Sequence, residues 1–380
     1  MNLLIIGGTG VLSSAVAVEA LKRNIEVTII NRGRNGRKAP EGVRQITADY
    51  RDYNAMQSVL IGLHFDAVID FICYTPSQIE YSVSLLHAVA DQYVFISTTC
   101  VYNTEIPGIK QENSEKVLKH WDYSINKWHC EEVLQQKSKE LGFNCTIIRP
   151  CVTYDDTRIP YGIMPQYGYH WTFIARILSG KPILRWDGGD TRWNMMRVED
   201  FAIGVVGLIG NSSSYGEAFN LSGDTAYSWN DVLASIETEI GVAPILIDIT
   251  SEEYKKSYPS RQGEIIGRSL DSIVDNSKIK SIVPSYTTNI SLQEGISKTI
   301  KAYKEQNFQK GIDYAFEGDT DRIITAILRK RNDKKLLKRL RFIDYIGNCT
   351  FRDRIIYFLH RYKNPVLSIV SKMINRLEWK

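Results

Sequence analysis

The run Leu3-Leu4-Ile5-Ile6-Gly7-Gly8-Thr9-Gly10-Val11-Leu12-Ser13 constrains the fold of this chain more than any other stretch. Four consecutive aliphatic residues predict a short buried strand, the glycines predict a tight turn, and the amphipathic pattern over 12–23 predicts a helix. A strand that turns directly into a helix sets unpaired N–H groups, at the positive end of the helix dipole, beside the turn. Gly7 is expected to make the turn, and Gly10 to let the backbone approach a pyrophosphate, with Thr9, Val11 and Leu12 completing the loop. The alternative is a strand-to-helix turn that binds nothing.

Apolar runs of strand length recur at 27–30, 68–72, 94–96 and 146–148, separated by amphipathic stretches near 53–62, 76–90 and 121–141, the last stopped by Gly142. This alternation predicts an α/β fold, a doubly wound parallel sheet of the Rossmann type, with ligands at the carboxyl ends of the strands. Beyond Pro150 the pattern loosens: 151–170 is rich in proline, glycine and tyrosine, and helical pieces return near 171–179, 199–210 and 229–240. We read a nucleotide-binding core over about 1–150 and a smaller C-terminal substrate lobe over about 151–325. A basic helical extension follows over 326–380.

Composition narrows the function class. Hydrophobic residues make up 43% and charged residues 24% of 380 positions, a balance that favours a packed core over disorder. The six cysteines have no paired spacing, which signals neither a metal site nor a disulfide framework. No basic n-region with an apolar core opens the chain, and no run approaches the ~18 apolar residues of a membrane span; a cytoplasmic protein is expected. The net charge of +4 is uneven, because residues 326–380 hold 15 Lys/Arg against 4 Asp/Glu and leave the remainder acidic. Nucleic acid is therefore not expected as a partner of the main body.

The second apolar run ends in Asn31-Arg32-Gly33-Arg34, where an NAD-selective site offers a carboxylate to the ribose hydroxyls. No acid stands there. Arg32 and Arg34 suit a 2′-phosphate and tilt the expectation from NAD toward NADP, while solvated arginines beside an NAD ribose would leave the same sequence. Farther on, Tyr123 and Lys127 fall four residues apart on an expected helix, so both project from one face. With 21 tyrosines about one such pair arises by chance; the order around it carries the argument. Ser97-Thr98-Thr99 ends the 94–96 strand, and the pair follows after a loop. A phenol of ordinary pKa about 10 is a poor base, but a neighbouring ammonium favours phenolate. Tyr123 is then expected to exchange a proton with a substrate hydroxyl that Thr98 holds, while a nicotinamide cofactor carries the hydride.

Gly7 to Ser13, Asp49-Tyr50-Arg51-Asp52, Ser97 to Tyr102, Tyr123 to Lys127 and Arg149-Pro150 together resemble the extended short-chain dehydrogenase/reductase superfamily. Within it they resemble the NAD-dependent epimerase/dehydratase family, over roughly residues 1–300. The resemblance implies a cofactor site that includes Asn31, Arg32, Asp49 at the adenine, Phe71, Ile72, Ser97 and Pro150, besides the glycine loop and Tyr123 and Lys127. It implies a nucleotide-sugar substrate whose diphosphate meets Arg192, a transient keto intermediate and a homodimer, and for Asp200 a structural role only. Three departures qualify it. Ser13 replaces the usual third glycine, which relaxes close helix packing. Thr99 and Cys100 stand where sugar 4,6-dehydratases carry an acidic pair, which disfavours dehydration. Val152 and Ile72 differ from sugar epimerases, which often have asparagine and a small residue there. The expected activity is thus an oxidoreductase or isomerase, with epimerisation first and NADPH-dependent carbonyl reduction as the alternative.

Two further readings stand beside it. Asn31-Arg32-Gly33 and the 66–71 stretch are also similar to an atypical branch that includes chloroplast stem-loop binding proteins, so a dinucleotide fold used as an RNA-binding module is the rival from another class. Residues 329–341 hold eight basic residues interleaved with leucines, and Val366, Leu367, Ile369, Val370, Met373, Ile374 and Leu377 are spaced for an apolar helical face. This tail is expected to touch an anionic membrane face peripherally or to form a helical hairpin against the body or a dimer partner, with RNA contact as a third reading.

Overall fold

A computed structural model describes residues 1–33, 38–117, 119, 121–308 and 310–363. Arg34 and the apolar spacing of 366–377 lie outside the described residues. The chain divides into two compact units, the first comprising Met1–Tyr154, Arg192–Ala226 and Leu270–Ser291.

In the first unit, β1 (Asn2–Ile6), α1 (Val11–Lys22), β2 (Glu26–Asn31), β3 (Arg44–Thr47), α2 (Tyr53–Leu60), β4 (Ala67–Asp70), α3 (Pro76–Leu86), β5 (Gln92–Ile96), α4 (Asp122–Leu141) and β6 (Asn144–Pro150) follow in order. Next come β7 (Val152–Tyr154), β8 (Arg192–Arg197), α5 (Val198–Leu208) and β9 (Ala218–Leu221). Seven strands form one parallel sheet in the order β9-β6-β5-β4-β1-β2-β3, the Rossmann arrangement expected. Ile5 sits in register between Ile29 and Ile69, and the sheet buries both faces. Leu3, Ile5 and Ile69 pack with Val16 of α1 and Phe201 of α5, while Leu4, Ile6 and Val68 pack with Leu86 of α3 and Leu134 of α4. Burial on both sides is why these strands read as unbroken apolar runs rather than alternating ones. Strand order reverses between β1 and β4, which opens a crevice at their carboxyl ends.

Two expectations needed correction. The 68–72 run ends as a strand at Asp70, because the Asp70 carboxylate accepts the Ile72 N–H at 2.9 Å and turns the chain out of the sheet. Strand β3, Arg-Gln-Ile-Thr, was not anticipated: it is an edge strand with three of its four residues exposed, so it has no apolar run to announce it.

The second unit comprises Asp155–Thr191, Tyr227–Ser269 and the described residues from Leu292 on. Strands Ile183–Trp186 and Leu246–Ile249 pair in parallel, and Trp186, Trp229, Tyr161 and Tyr254 pack edge to face or tilted around them. Helix Tyr314–Lys330 crosses helix Phe351–Tyr362 at Gly318, where a Cβ would lie 2.4 Å from the Tyr357 carbonyl oxygen. A buried ionic cluster ties these helices to Trp171–Leu178: Arg176 pairs with Glu317 at 2.8 Å and Asp321 at 2.7 Å, and Lys181 and Arg361 close on the same acids. Such a cluster is costly to desolvate, and its worth lies in fixing one arrangement, since a lone survivor of a broken pair is far costlier.

Candidate active site

The glycine loop is built as a cradle. Gly7 has φ +91°, a conformation L side chains rarely adopt, and a Cβ there would meet Ile72 Cγ2 at 2.6 Å. Gly8 lets the loop sit on β2, since a Cβ would come 2.3 Å from Ile29 Cγ2. Ser13, expected only to relax packing, is a buried brace: its Oγ accepts the Gly10 N–H at 2.9 Å and donates to the Gly7 carbonyl at 3.3 Å. Gly10 caps α1 without any side-chain hydrogen bond, and the first turn carries no acid. The first turn of α1, at Val11 and Leu12, thus brings no acid of its own to the positive end of the helix, which suits an anion site.

Beside this loop lies a cleft of about 520 Å³. Six expected residues line it (Gly7, Thr9, Asn31, Arg32, Asp49 and Ile72), together with Tyr50 and Arg51 from the Asp49–Asp52 motif and with Gln78 and Tyr81, which no motif announced. Asn31 Oδ1 accepts from Gly33 N and Gln45 Nε2, while its Nδ2 is buried with no acceptor among the described residues. A buried amide donor left unmatched in a cleft wall fits a ligand oxygen. Asp49 takes Arg51 as a forked partner, at 3.2 Å from Nε and 3.0 Å from Nη2, and this hydrogen bonding holds its carboxyl down at about 2. Arg32 is exposed at the mouth. Phe71 packs against the sheet core and is not among the residues that line this cleft.

At the other side of the crevice, α4 carries Tyr123 and Lys127 on successive turns. Lys127 is buried, and its Nζ donates to the carbonyls of Cys73 at 2.6 Å and Ile96 at 2.8 Å. Burial lowers its pKa from the ordinary 10.5 to about 8. The second anchor ends β5, so the ammonium is fastened beside Ser97 and Thr98. Thr98 is buried with its Oγ1 accepting from Cys100 N at 3.2 Å. Tyr123 is half-buried, its ring 5.3 Å from that of Trp121 and 6.5 Å from that of Tyr74.

Behind these groups runs a buried polar chain that sequence reasoning missed. Ser97 Oγ donates to Glu131 at 2.5 Å, Glu131 pairs with Arg149 at 2.6 Å, and Arg149 donates to the Tyr102 hydroxyl at 2.8 Å. Asp70 accepts from Ile72 N, Tyr50, Cys73, Ser82 and Tyr93, and burial keeps the Cys73 thiol protonated as a donor. An acid closing an apolar run was the one available signal for this second hub. Pro150 ends β6, paired with Leu221. Arg192 opens β8 with an exposed side chain, its N–H held by Asp271 at 2.7 Å. Among the described residues no cluster of three metal-ligating side chains occurs, and no helix is long and apolar enough to cross a membrane.

The family model described as the NAD dependent epimerase/dehydratase family matches residues 3–222. The chain belongs to this family. The matched range holds the glycine loop, the cleft and both Tyr123 and Lys127 of this epimerase/dehydratase family member. Among its relatives is the chloroplast stem-loop binding protein of 41 kDa b from Arabidopsis thaliana, 25% identical over 281 residues, which span 68% of this chain and 70% of the relative. Another is the 2′-dehydrokanamycin reductase of Streptomyces kanamyceticus, 19% identical over 286 residues, 75% of this chain and 80% of that one. Its fold is similar to that of UDP-glucuronic acid 4-epimerase from Bacillus cereus, solved with UDP-glucuronic acid and NAD, at a TM-score of 0.63 and 18% identity, covering 80% of this chain and 99% of that one.

Proposed function

We propose that this family member is an NAD(P)-dependent enzyme that oxidises and re-reduces a hydroxyl of a nucleotide-activated sugar through a transient keto intermediate, with epimerisation as the net reaction. The observation that carries the reading is the anchoring of Lys127 to Cys73 and Ile96, which fixes an ammonium one helical turn from Tyr123 on α4 and at the end of β5, the strand that runs on into Thr98. Tyr123 takes the proton of the substrate hydroxyl and returns it; Lys127 favours the phenolate form; Thr98 positions the reacting oxygen. The nicotinamide dinucleotide, when bound, supplies acceptance and return of the hydride.

The residues present suit that cofactor. The uncapped start of α1 and the Gly7–Leu12 backbone would hold the pyrophosphate, and Asn31 Nδ2, Arg32, Asp49 and Ile72 the adenosine half. Phe71, Ser97, Tyr123, Lys127 and Pro150 would face the nicotinamide half. The Arg32 cation, with no acid at Asn31–Gly33, supports NADP over NAD. Arg192, exposed on β8, is proposed to meet the substrate diphosphate. The UDP-glucuronic acid bound by the B. cereus epimerase supports a sugar nucleotide as substrate class, and the reductase relative supports a simple carbonyl reduction as the alternative.

Denaturing the purified protein and identifying released nucleotides by mass tests the proposal. A nicotinamide dinucleotide with or without a sugar nucleotide is expected; preparations that neither retain nor bind one overturn it. Retention of the cofactor through turnover indicates epimerisation, and stoichiometric NADPH consumption indicates reduction. A homodimer is proposed on the family resemblance and is read by sedimentation. Arg329, Lys330, Lys334, Lys335, Lys338 and Arg341 are exposed without ion-pair partners among the described residues, which supports peripheral contact with an anionic membrane face. Equal flotation of the full chain and a 1–325 truncation with anionic vesicles would reject that contact.

A further inference from the structure

Tyr74 directly follows Cys73, the residue whose carbonyl holds Lys127, and stands about half exposed at 51%. Its ring centroid lies 4.5 Å from Lys127 Nζ, and its ring is 6.5 Å from that of Tyr123. The ammonium is therefore walled by two carbonyls and two aromatic rings, the second being Phe95 of β5 at 4.7 Å. Among the described residues no carboxylate lies within ion-pair distance of it.

The charged and titratable groups facing it from each packed element are few. The end of β4 and the loop after it present Asp70 and Cys73, while α4 presents Cys130 and Glu131. Asp70 is saturated by five donors, and Glu131 is neutralised by Arg149 of β6 at 2.6 Å. Besides the two carbonyls, what favours a cation at this spot is the negative face of the rings, and an ammonium within about 6 Å of a ring centroid is attracted to it. Phe95 is fixed in the core, whereas Tyr74 sits on a loop and also edges the catalytic phenol.

We propose that Tyr74 is a positioning residue of the acid–base pair, its ring face holding the Lys127 side chain as a cation beside Tyr123. The inference rests on Tyr123 and Lys127 acting as that pair. The ring, not the hydroxyl, carries the effect, so phenylalanine substitutes for Tyr74 and an aliphatic residue does not.

The test is the titration of Lys127, followed by carbon NMR on protein labelled at the lysine ε-carbon, with Lys127→Gln assigning the resonance. In Tyr74→Leu the midpoint is expected to fall by about half to one and a half pH units, and the alkaline limb of turnover moves with it. Tyr74→Phe should keep the wild-type midpoint. Tyr74→Gln is a second non-aromatic variant in case leucine impairs folding, which a thermal melt reports. An unmoved midpoint in the non-aromatic variants overturns the proposal, as does a fall in Tyr74→Phe equal to that in Tyr74→Leu. Failure of the underlying reading shows in a different measurement: turnover that survives Tyr123→Phe removes the acid–base pair, and with it the positioning role, whatever Lys127 titrates at.

Discussion

Replacing Lys127 by methionine, which keeps an unbranched side chain of similar length, should change how stability depends on pH. A drop from 10.5 to about 8 corresponds, at about 1.36 kcal/mol per pKa unit, to about 3 kcal/mol by which burial disfavours the ammonium at neutral pH. The variant escapes that cost but leaves the Cys73 and Ile96 carbonyls without their donor, a loss of about 1 kcal/mol each. The net difference at neutral pH is therefore a gain of about 1 kcal/mol, and the decisive quantity is its slope. Between pH 8 and 10.5 the unfolded lysine keeps its proton while the folded one has released it, so this group makes unfolding free energy rise with pH in the wild type and contributes nothing to the slope in the variant. By about pH 9.5 the wild type should have gained about 2 kcal/mol on the variant, read from urea unfolding of both proteins at each pH. A difference that stays flat from neutral pH upward refutes a buried, depressed ammonium and the site built around it.

Three other outcomes follow from the same geometry. Glu131→Gln leaves the Arg149 guanidinium, 3% exposed, without its partner and should cost about 3–5 kcal/mol in unfolding free energy; a loss below about 1 kcal/mol would show the pair to be dispensable. Gly7→Ala puts a side chain at φ +91° and 2.6 Å from Ile72, so dinucleotide affinity measured by calorimetry should fall about 10-fold or more, and unchanged affinity would remove Gly7 from the cradle. Arg32→Ala should erase any preference for NADP over NAD, a change of about 1.5–3 kcal/mol in the ratio of dissociation constants; an unaltered ratio excludes Arg32 as the selector.

What could be read in advance depended on how local its cause was. The 3–13 loop and the Tyr123–Lys127 spacing are contiguous, so the sequence displays them, and both faces of the sheet print as apolar runs. Ser13 looked like a substitution that merely relaxed packing, since its bonds to Gly7 and Gly10 exist only once the loop has folded. The anchors of Lys127 come from Cys73 and Ile96, 54 and 31 positions away, and nothing in either neighbourhood announces a carbonyl aimed at an ammonium. Tyr74 carried no motif for the same reason. Asp70 is the instructive miss: an acid closing an apolar run must either leave the sheet or gather donors, and here it ends the strand and gathers five.

In the proposed reaction the Tyr123 phenol moves a proton while hydride passes between a sugar carbon and the nicotinamide. Mixing nucleotide-loaded protein with a panel of nucleotide sugars, and following the near-ultraviolet absorbance of reduced nicotinamide, tests it directly. A reduced-nicotinamide signal is expected with at least one sugar in the wild type, and a signal at least about 100-fold slower in Tyr123→Phe. Equal rates in the two proteins would contradict it.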